Sequence, residues 1–340
     1  MKTVPVQEAV GMVLCHDLTR IVPGEFKGRA FKKGHVVQEE DVQTLLEIGK
    51  EHLYVWEATE GRIHENEAAS RIATAASGPG IRLTQASEGR INLIADRDGL
   101  LKINVQALNR INSIDEMVFG TLHTNQQVTK GRGVAGTRVV PLTIKQDKIE
   151  QVEEICRQVF PLVEVKPFLA RSIGMVTTGS EIFKGLIKDK FGPVLEEKFN
   201  LLNSSILRQI LTSDDREMTT KAIKDLVNEG AHMVVVTGGM SVDPDDQTPA
   251  AIRATGARVV TYGSPVFPGA MFMLAYLGDV PIVGLPGCVM YYKATIFELI
   301  IPRLMAGDPV TREDISALGH GGFCENCPEC HYPACPFGKN

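Results

Sequence analysis

The second half of the chain alternates between short apolar runs and segments with helical spacing. Apolar residues dominate 171–177, 206–211 and 233–237, which is typical of buried strands. Between the first two runs, helical spacing joins Phe191, Val194, Leu195, Phe199 and Leu202. A second amphipathic segment follows 206–211 and ends at Gly230. This alternation predicts an α/β fold in which helices cover both faces of a mostly parallel sheet.

The pattern changes after the third run. We expect the later elements to be a helix over 249–255, a strand over 258–261, two strands over 271–276 and 281–285, and a final helix over 290–306. The last two strands are close enough to form a hairpin across Gly278-Asp279. The domain would thus carry an antiparallel pair beside its parallel strands.

The first half of the chain is less regular. A helix over 38–48 and a strand over 53–56 predict a small α/β unit, residues 1–62. A polar helix over 65–76 then leads into mainly strand-like segments, among them a predicted hairpin of 91–94 with 100–103. We therefore divide the chain into four segments: an α/β unit over 1–62, a β-rich domain over 63–148, a large α/β domain over 149–308 and a tail over 309–340.

Composition narrows the class of protein. The chain has 340 residues, of which 44% are hydrophobic and 23% charged, as expected of a globular protein. A net charge of −5 argues against a general nucleic-acid binder. No apolar run reaches the 18 or so residues that a membrane-spanning helix needs, and the N-terminus lacks the apolar core of a signal peptide. We expect a cytoplasmic protein with neither a nucleic-acid nor a membrane partner.

Three loops follow predicted strands of the large domain. They are 177–181, 237–241 and 286–288, and each has small or hydroxyl residues beside a helix start. Backbone N–H groups at helix starts suit a phosphate or another anion. Asp214 and Asp246 would lie at the same edge, where two aspartates near a phosphate suit Mg²⁺. A helix N-cap accounts equally well for Asp214, and a solvated loop accounts for Asp246.

Taken together, these motifs carry a family resemblance. The stretch from Ser172 to Gly307 resembles the molybdopterin-binding domain shared by molybdopterin adenylyltransferases (the Mog and MoaB group) and molybdopterin molybdenumtransferases (the MoeA group). The matching segments are 177–181 (TTGSE), 192–195 (GPVL), 213–215 (SDD), 238–241 (GGMS), 246–249 (DQTP) and 286–287 (PG). The resemblance implies a three-layer α/β/α fold and molybdopterin as the ligand.

The resemblance also implies roles for individual residues. Asp214 and Asp246 match an acidic pair used in nucleotidyl or metal transfer, and Glu181 matches an acidic residue of the molybdenumtransferases. The loop that holds the pterin phosphate corresponds to Thr237, Gly238, Gly239 and Ser241. We expect the rest of the cofactor site at Thr177, Thr178, Gly179, Ser180, Thr248, Pro286 and Gly287. A weaker likeness to the first domain of the molybdenumtransferases covers 4–17 and 33–55.

The departures from the family bear on the reaction. The Ser-Ala-Met-Asp-Gly type segment and the C-terminal β-domain of the molybdenumtransferases have no counterpart. Their Pro-Gly-Lys-Pro loop corresponds to 268–271 (PGAM), which lacks the cation, and their Pro-Gly-Asn-Pro loop corresponds to 286–289 (PGCV). A lost cation weakens phosphate binding, because charge-assisted hydrogen bonds are the stronger ones. The ligand class is therefore better supported than the reaction.

Four of the seven cysteines crowd the last 17 residues. The sequence places Cys324, Cys327, Cys330 and Cys335 in a Cys-x2-Cys-x2-Cys-x4-Cys-Pro run, one residue longer than the bacterial ferredoxin spacing. A tetrahedral zinc site competes with an iron–sulfur cluster, and His331 or His320 could replace a thiol. A flexible, oxidisable tail is the alternative without metal. Cys288, in a predicted ligand loop, is as well explained as a small buried residue.

Two hypotheses about function follow. In the first, the chain transfers adenylyl or molybdenum to molybdopterin, with Mg²⁺ held by the two aspartates and with ATP or molybdate as co-substrate. In the second, it is a non-catalytic carrier or sensor of molybdopterin, or of its adenylylated form, with a metal-binding tail. A redox protein built around the tail is a third, weaker possibility. The family tends to associate, so we expect a homo-oligomer.

Overall fold

The computed structural model describes residues 2–22, 26–55 and 61–339. The chain folds into two compact units. Their residues are Met1–Ile94, Asn104–Leu122 and Gly133–Val163 in the first, and Ala95–Ile103, His123–Arg132 and Glu164–Asn340 in the second. No helix in the described part of the chain is long and apolar enough to cross a membrane.

Up to residue 166 the described residues form short strands and four α-helices. The strands are β1 (Lys2–Pro5), β2 (Leu18–Val22), β3 (Phe26–Phe31), β4 (His52–Val55), β5 (Arg62–His64), β6 (Ile81–Leu83), β7 (Arg90–Ala95), β8 (Gly99–Ile103), β9 (Met117–Thr121), β10 (Gln127–Val128), β11 (Gly133–Val139), β12 (Thr143–Lys145) and β13 (Val163–Lys166). The helices are α1 (Asp41–Glu47), α2 (Glu65–Ala76), α3 (Val105–Asn112) and α4 (Gln146–Val159), and Val6–Glu8 forms a 3₁₀ turn.

These strands pair in several small antiparallel sheets. β1 pairs with β4, β2 with β3, and β5 with β12, while the order β6-β7-β11-β9 forms a four-stranded sheet. The predicted helix over 65–76 is confirmed as α2. The strand expected at 53–56 is β4, and Trp56 lies outside the described residues. The first half therefore combines α/β and β-rich parts, as the sequence indicates.

The predicted hairpin of 91–94 with 100–103 is wrong. β7 pairs with β6 and β11, whereas β8 pairs with β10 and β13. The backbone of Ala95, at the end of β7, instead accepts a hydrogen bond from Gly131 and donates one to Arg132. Both faces of β8 are largely buried, so its neighbours are set by packing rather than by the short polar turn before it.

From residue 172 onward the chain builds one six-stranded sheet. Its strands are β14 (Ser172–Thr178), β15 (Ser205–Thr212), β16 (Met233–Thr237), β17 (Arg258–Tyr262), β18 (Met273–Leu277) and β19 (Val280–Leu285). Their order is β15-β14-β16-β19-β18-β17. The first four run parallel, and only the pairings of β18 with its neighbours are antiparallel. The predicted mostly parallel sheet is confirmed.

Helices cover both faces of this sheet. They are α5 (Ser180–Phe183), α6 (Phe191–Asn200), α7 (Arg216–Asn228), α8 (Thr248–Ala254), α9 (Ile296–Met305) and α10 (Arg312–Ala317), with a 3₁₀ turn at Gly287–Met290. Side chains of β16 alternate between two cores: Met233 and Val235 pack with α6 and α9, and Val234 and Val236 with α7 and α8. Because both faces are buried, the strand reads as a continuous apolar run. The α/β/α layering is confirmed.

The final helix begins later than its predicted start at Met290. A 3₁₀ turn ends at Met290, and α9 starts at Ile296 after a capping box at Thr295. The Thr295 side chain accepts a hydrogen bond from the backbone N–H of Phe297, and Glu298 accepts one from the N–H of Thr295. A capping box defines a helix start strongly, and apolar spacing alone did not reveal it.

Candidate functional site

The three predicted loops meet at one edge of the six-stranded sheet. Thr177 at the end of β14 pairs with Thr237 at the end of β16, and Thr237 pairs with Leu285 at the end of β19. On the other side of β14, Thr178 pairs with Thr212 of β15. Ligands of open α/β sheets bind beyond the carboxyl ends of their parallel strands. The register thus brings the candidate residues together at the position expected of a binding site.

Asp214 connects two of the loops. Its Oδ2 accepts a hydrogen bond from the backbone N–H of Ser180 over 2.8 Å, and Gly179 donates to the carbonyl of Thr212 over 3.1 Å. The N-cap of α7 is the next residue, Asp215, whose side chain accepts from Met218 N–H. Asp214 is therefore not needed as a cap. It holds the first turn of α5 against the end of β15 and keeps Oδ1 for another contact.

The glycine pair is explained by close packing between loops. Gly238 has φ +82°, and a Cβ there would lie 2.2 Å from the carbonyl oxygen of Thr178. At Gly239, φ is +54°, and a Cβ would lie 2.9 Å from Oγ1 of Thr248. Thr248 in turn donates from Oγ1 to the carbonyl of Gly238 over 2.8 Å. The chain itself, rather than a ligand alone, approaches this backbone, and the turn is rigid as a result.

Asp246 orders the exposed loop that joins β16 to α8. Its backbone N–H donates to the carbonyl of Asp243, and its Oδ2 accepts from the N–H of Asp243, both over 3.0 Å. Gln247 closes the same turn by donating to the carbonyl of Pro244. Ser241 lies exposed at the start of this loop. Asp246 is thus more than a solvated residue, since it shapes the loop that carries it.

Two polar residues that the sequence did not single out support the site. Gln209 of β15 donates from Nε2 to Thr177 Oγ1 over 2.9 Å and contacts Asp189 Oδ2 over 2.6 Å. Asp189 also accepts from the backbone N–H groups of Phe191 and Gly192 at the start of α6. This network ties the buried threonine to α6. The position of Asp189 two residues before a helix was a signal of capping that the sequence did contain.

Positive charge is available beside the first loop. Lys184, Lys188 and Lys190 are all exposed in the segment between α5 and α6. Glu181, also exposed, lies in α5 just before this segment, and its carbonyl accepts hydrogen bonds from Leu186 and Ile187. These lysines supply positive charge directly after the first loop, whereas the 268–271 loop lacks the lysine of the family. A lysine-rich stretch between two motif segments was the signal that sequence reasoning passed over.

The third loop ends in a cysteine. Pro286 is buried, Gly287 is exposed, and the ring of Phe191 comes within 4.0 Å of a Cβ placed on Gly287. Burial raises the pKa of the Cys288 thiol above its ordinary value, so this cysteine stays protonated at neutral pH. A protonated thiol is a poor nucleophile and a poor metal ligand. Cys288 accordingly fits the interpretation as a small, half-buried residue that packs in the loop.

The tail folds back onto the second unit. Phe323 pairs with Phe267 in a parallel bridge, with hydrogen bonds of 2.8 Å from Phe267 N–H to Gly322 and from Cys324 N–H to Phe267. Phe337 is 3% exposed and belongs to the core around α9. All four tail cysteines are free thiols, and they line one cavity of about 300 Å³ together with His331. His320, the other histidine considered as a ligand, is exposed and does not line this cavity.

Comparison with known proteins agrees with this geometry. Residues 174–306 match the model of a family described as "probable molybdopterin binding domain". The second half of the chain carries a molybdopterin-binding domain of that family. Residues 3–57 match a separate family, described as a domain of unknown function. The predicted family is therefore confirmed for the second half, and the weaker likeness predicted for the first half does not identify its function.

Several characterised proteins resemble parts of the chain. A CinA-like protein of Syntrophus aciditrophicus is 33% identical over 88 residues, 26% of this chain and 21% of that protein. A molybdopterin molybdenumtransferase of Synechococcus elongatus is 21% identical over 176 residues, 49% and 44% of the two chains. The chain thus spans less than half of the length of either relative.

Among solved structures, the molybdopterin biosynthesis enzyme MoaB of Thermus thermophilus aligns with 18% identity and a TM-score of 0.33. The alignment covers 41% of this chain and 98% of MoaB.

Proposed function

We propose that the molybdopterin-binding domain binds molybdopterin or its adenylylated form. It would transfer either the adenylyl group of ATP to molybdopterin, with pyrophosphate leaving, or molybdenum from molybdate to the pterin, with water leaving. The observation that carries the proposal is the meeting of the β14, β16 and β19 loops at one sheet edge, within the segment that matches the family. Backbone N–H groups of the Gly238-Gly239 turn and of the α5 start would receive the pterin phosphate. ATP or molybdate would be the second substrate.

The two aspartates suit a Mg²⁺ ion of the kind held by one or two carboxylates and by substrate phosphates. The described hydrogen bonds use Oδ2 of Asp214 and Oδ2 of Asp246, and each carboxylate keeps Oδ1. When bound, the metal would neutralise phosphate charge and orient the attacking group. The chain's own contribution is to fix both carboxylates through backbone hydrogen bonds, and Glu181 is a further acidic residue, the last of the first loop.

A carrier or sensor without catalysis is the second candidate, and one observation favours it. Asp214 and Asp246 each accept a backbone hydrogen bond that orders a loop. This structural role by itself accounts for aspartate at both positions. We further propose a cytoplasmic homo-oligomer in either case. Neither candidate involves a nucleic acid or a membrane as partner.

Substitution of the aspartates separates the two candidates. With molybdopterin and Mg-ATP or molybdate, Asp214→Asn and Asp246→Asn should retain binding but lower turnover about 100-fold, as expected when an electrostatic group is lost. Asp245→Asn, an exposed neighbour in the same loop, is the matched control and should behave as wild type. Tight binding without any turnover in the wild type would favour the carrier, and absence of binding would contradict both candidates.

A further inference from the structure

The tail differs from a loose terminal peptide because both of its ends are fixed. At its start, Cys324 is held to Phe267 by the parallel bridge. At its end, Gly338 N–H donates to the carbonyl of Gly321 over 2.9 Å, and Phe337 lies in the core. Tyr332 Oη donates to the carbonyl of Glu298 in α9 over 3.2 Å. The segment 324–335 is therefore a closed loop, which holds its thiols in a defined arrangement.

The four thiols face one space but do not form a site for a single metal ion. A zinc–sulfur bond of about 2.3 Å requires tetrahedral sulfurs roughly 4 Å apart. Within residues 2–22, 26–55 and 61–339, no three His, Cys, Asp or Glu side chains are grouped closely enough to hold one ion. The same four cysteines nevertheless line a common cavity of about 300 Å³. The four thiols thus surround a space and do not converge on one point.

We propose that this cavity binds a four-iron, four-sulfide cluster through Cys324, Cys327, Cys330 and Cys335. In such a cluster each thiolate binds a different iron, so the ligands stand around a body instead of converging on a point. The Cys-x2-Cys-x2-Cys run places three thiols on one short loop, and the following segment returns Cys335 to the same cavity. The remaining wall includes the exposed aromatic residues Tyr291, Tyr292 and Phe323, so the cavity is open to water on that side.

The position of the cavity relates it to the molybdopterin site. Its wall at Tyr291–Ala294 directly follows the 3₁₀ turn Gly287–Met290, which begins in the Pro286-Gly287 loop. Four residues of 3₁₀ helix advance the chain by about 8 Å. The cavity wall at Tyr291 is thus joined to a loop assigned to the pterin by this single 3₁₀ segment. This proposal does not depend on the proposed function, because cluster binding is measured without molybdopterin.

Metal analysis of the full chain purified without oxygen tests the proposal. We expect about four iron and four sulfide per chain, with broad visible absorption that fades on reduction. A colourless protein with one zinc per chain would overturn it. So would a protein that takes up no iron when supplied with ferrous iron and sulfide.

The variants that test the assignment replace two exposed cysteines proposed as cluster ligands. Cys327→Ser and Cys330→Ser should each lose the visible absorption and most of the iron, and because both residues are exposed, neither change opens a hole in the core. Cys288→Ser is the matched control, since this cysteine lies outside the cavity lining, and it should keep a full complement of iron. Circular dichroism of each variant verifies that the domain is folded. Iron content unchanged in folded Cys327→Ser and Cys330→Ser would contradict the assignment.

Discussion

The loop edge of the molybdopterin-binding domain, formed by the loops after β14, β16 and β19, and the cysteine tail position their polar groups in different ways. Both are irregular segments that must hold polar groups in place. At the loop edge, candidate side chains bond to backbone groups of the loops themselves, as Asp214 does to Ser180 and Thr248 to Gly238. In the tail, backbone hydrogen bonds join Cys324 to Phe267 and Gly338 to Gly321. Among the described residues the thiols form no disulfide, and they line a cavity.

This difference shows which contacts each region forms in the absence of a ligand. The loop edge is ordered by its own hydrogen bonds, so its rigidity does not require molybdopterin. In the part of the chain that the structure describes, the four tail thiols form no disulfide, and what they share is the lining of one cavity. A set of four thiols around one space is therefore the feature of the tail that bears on function.

The largest effect is expected where the tail enters the core. Phe337→Ala should lower the free energy of unfolding by about 4 kcal/mol, because it removes a fully packed aromatic ring and leaves a cavity. Denaturant unfolding of the metal-free protein measures this. Phe323→Ala, at 75% exposure, is the control and should change stability by less than about 0.5 kcal/mol. Equal small effects of the two changes would mean that the tail is not anchored as described.

The next effect concerns the rigidity of the loop edge. Gly238→Ala should destabilise the domain by about 3 kcal/mol, since it combines a left-handed backbone with a Cβ only 2.2 Å from the Thr178 carbonyl oxygen. Gly256→Ala has a similar φ of +87° with nothing within 4 Å, and it should lose only about 1 kcal/mol. Thermal unfolding of the two variants isolates the loop contact. Matching losses would show that the contact contributes nothing.

The smallest effect concerns the ion pairs around α9, the helix that the tail covers. Asp308 accepts from Lys102 over 2.9 Å and from Arg303 over 2.7 Å. Burial raises the pKa of Asp308, but these hydrogen bonds outweigh it, and the pKa falls below its ordinary value of 3.8. Asp308→Asn should therefore lower stability by about 2 kcal/mol at neutral pH.

The pH dependence of the stability lost in Asp308→Asn follows from the direction in which the pKa of Asp308 is shifted. A carboxylate with a lowered pKa stabilises the fold above its ordinary pKa, and this contribution declines as the pH falls through the pKa of the folded state. Wild type and Asp308→Asn should thus begin to converge in stability below pH 3.8 and coincide only below the lowered pKa of the folded state. Asp279→Asn, on an exposed turn, is the control and should follow wild type throughout. A difference that persists in acid would contradict the electrostatic explanation.

Much of the fold was predictable because its signals are local. Continuous apolar runs identified β14, β15 and β16, and helical spacing identified α6 and α7. The β7–β8 hairpin failed because strand pairing depends on packing far along the chain, and the start of α9 failed because its capping box interrupts an apolar stretch. The capping of α6 by Asp189 had a local signal, but the contacts of Gln209 with Thr177 and Asp189 were not predictable, since only folding brings these side chains together.

What the sequence determined by itself is the set of chemical groups and the family of the domain that carries them. The order TTGSE, SDD, GGMS, DQTP resembles that of a molybdopterin-binding domain, and the family model matches residues 174–306. Only the tertiary structure decided how those groups are used. It showed that Gly238 faces Thr178 and that four thiols surround a cavity, because register and loop closure depend on contacts between residues distant in sequence.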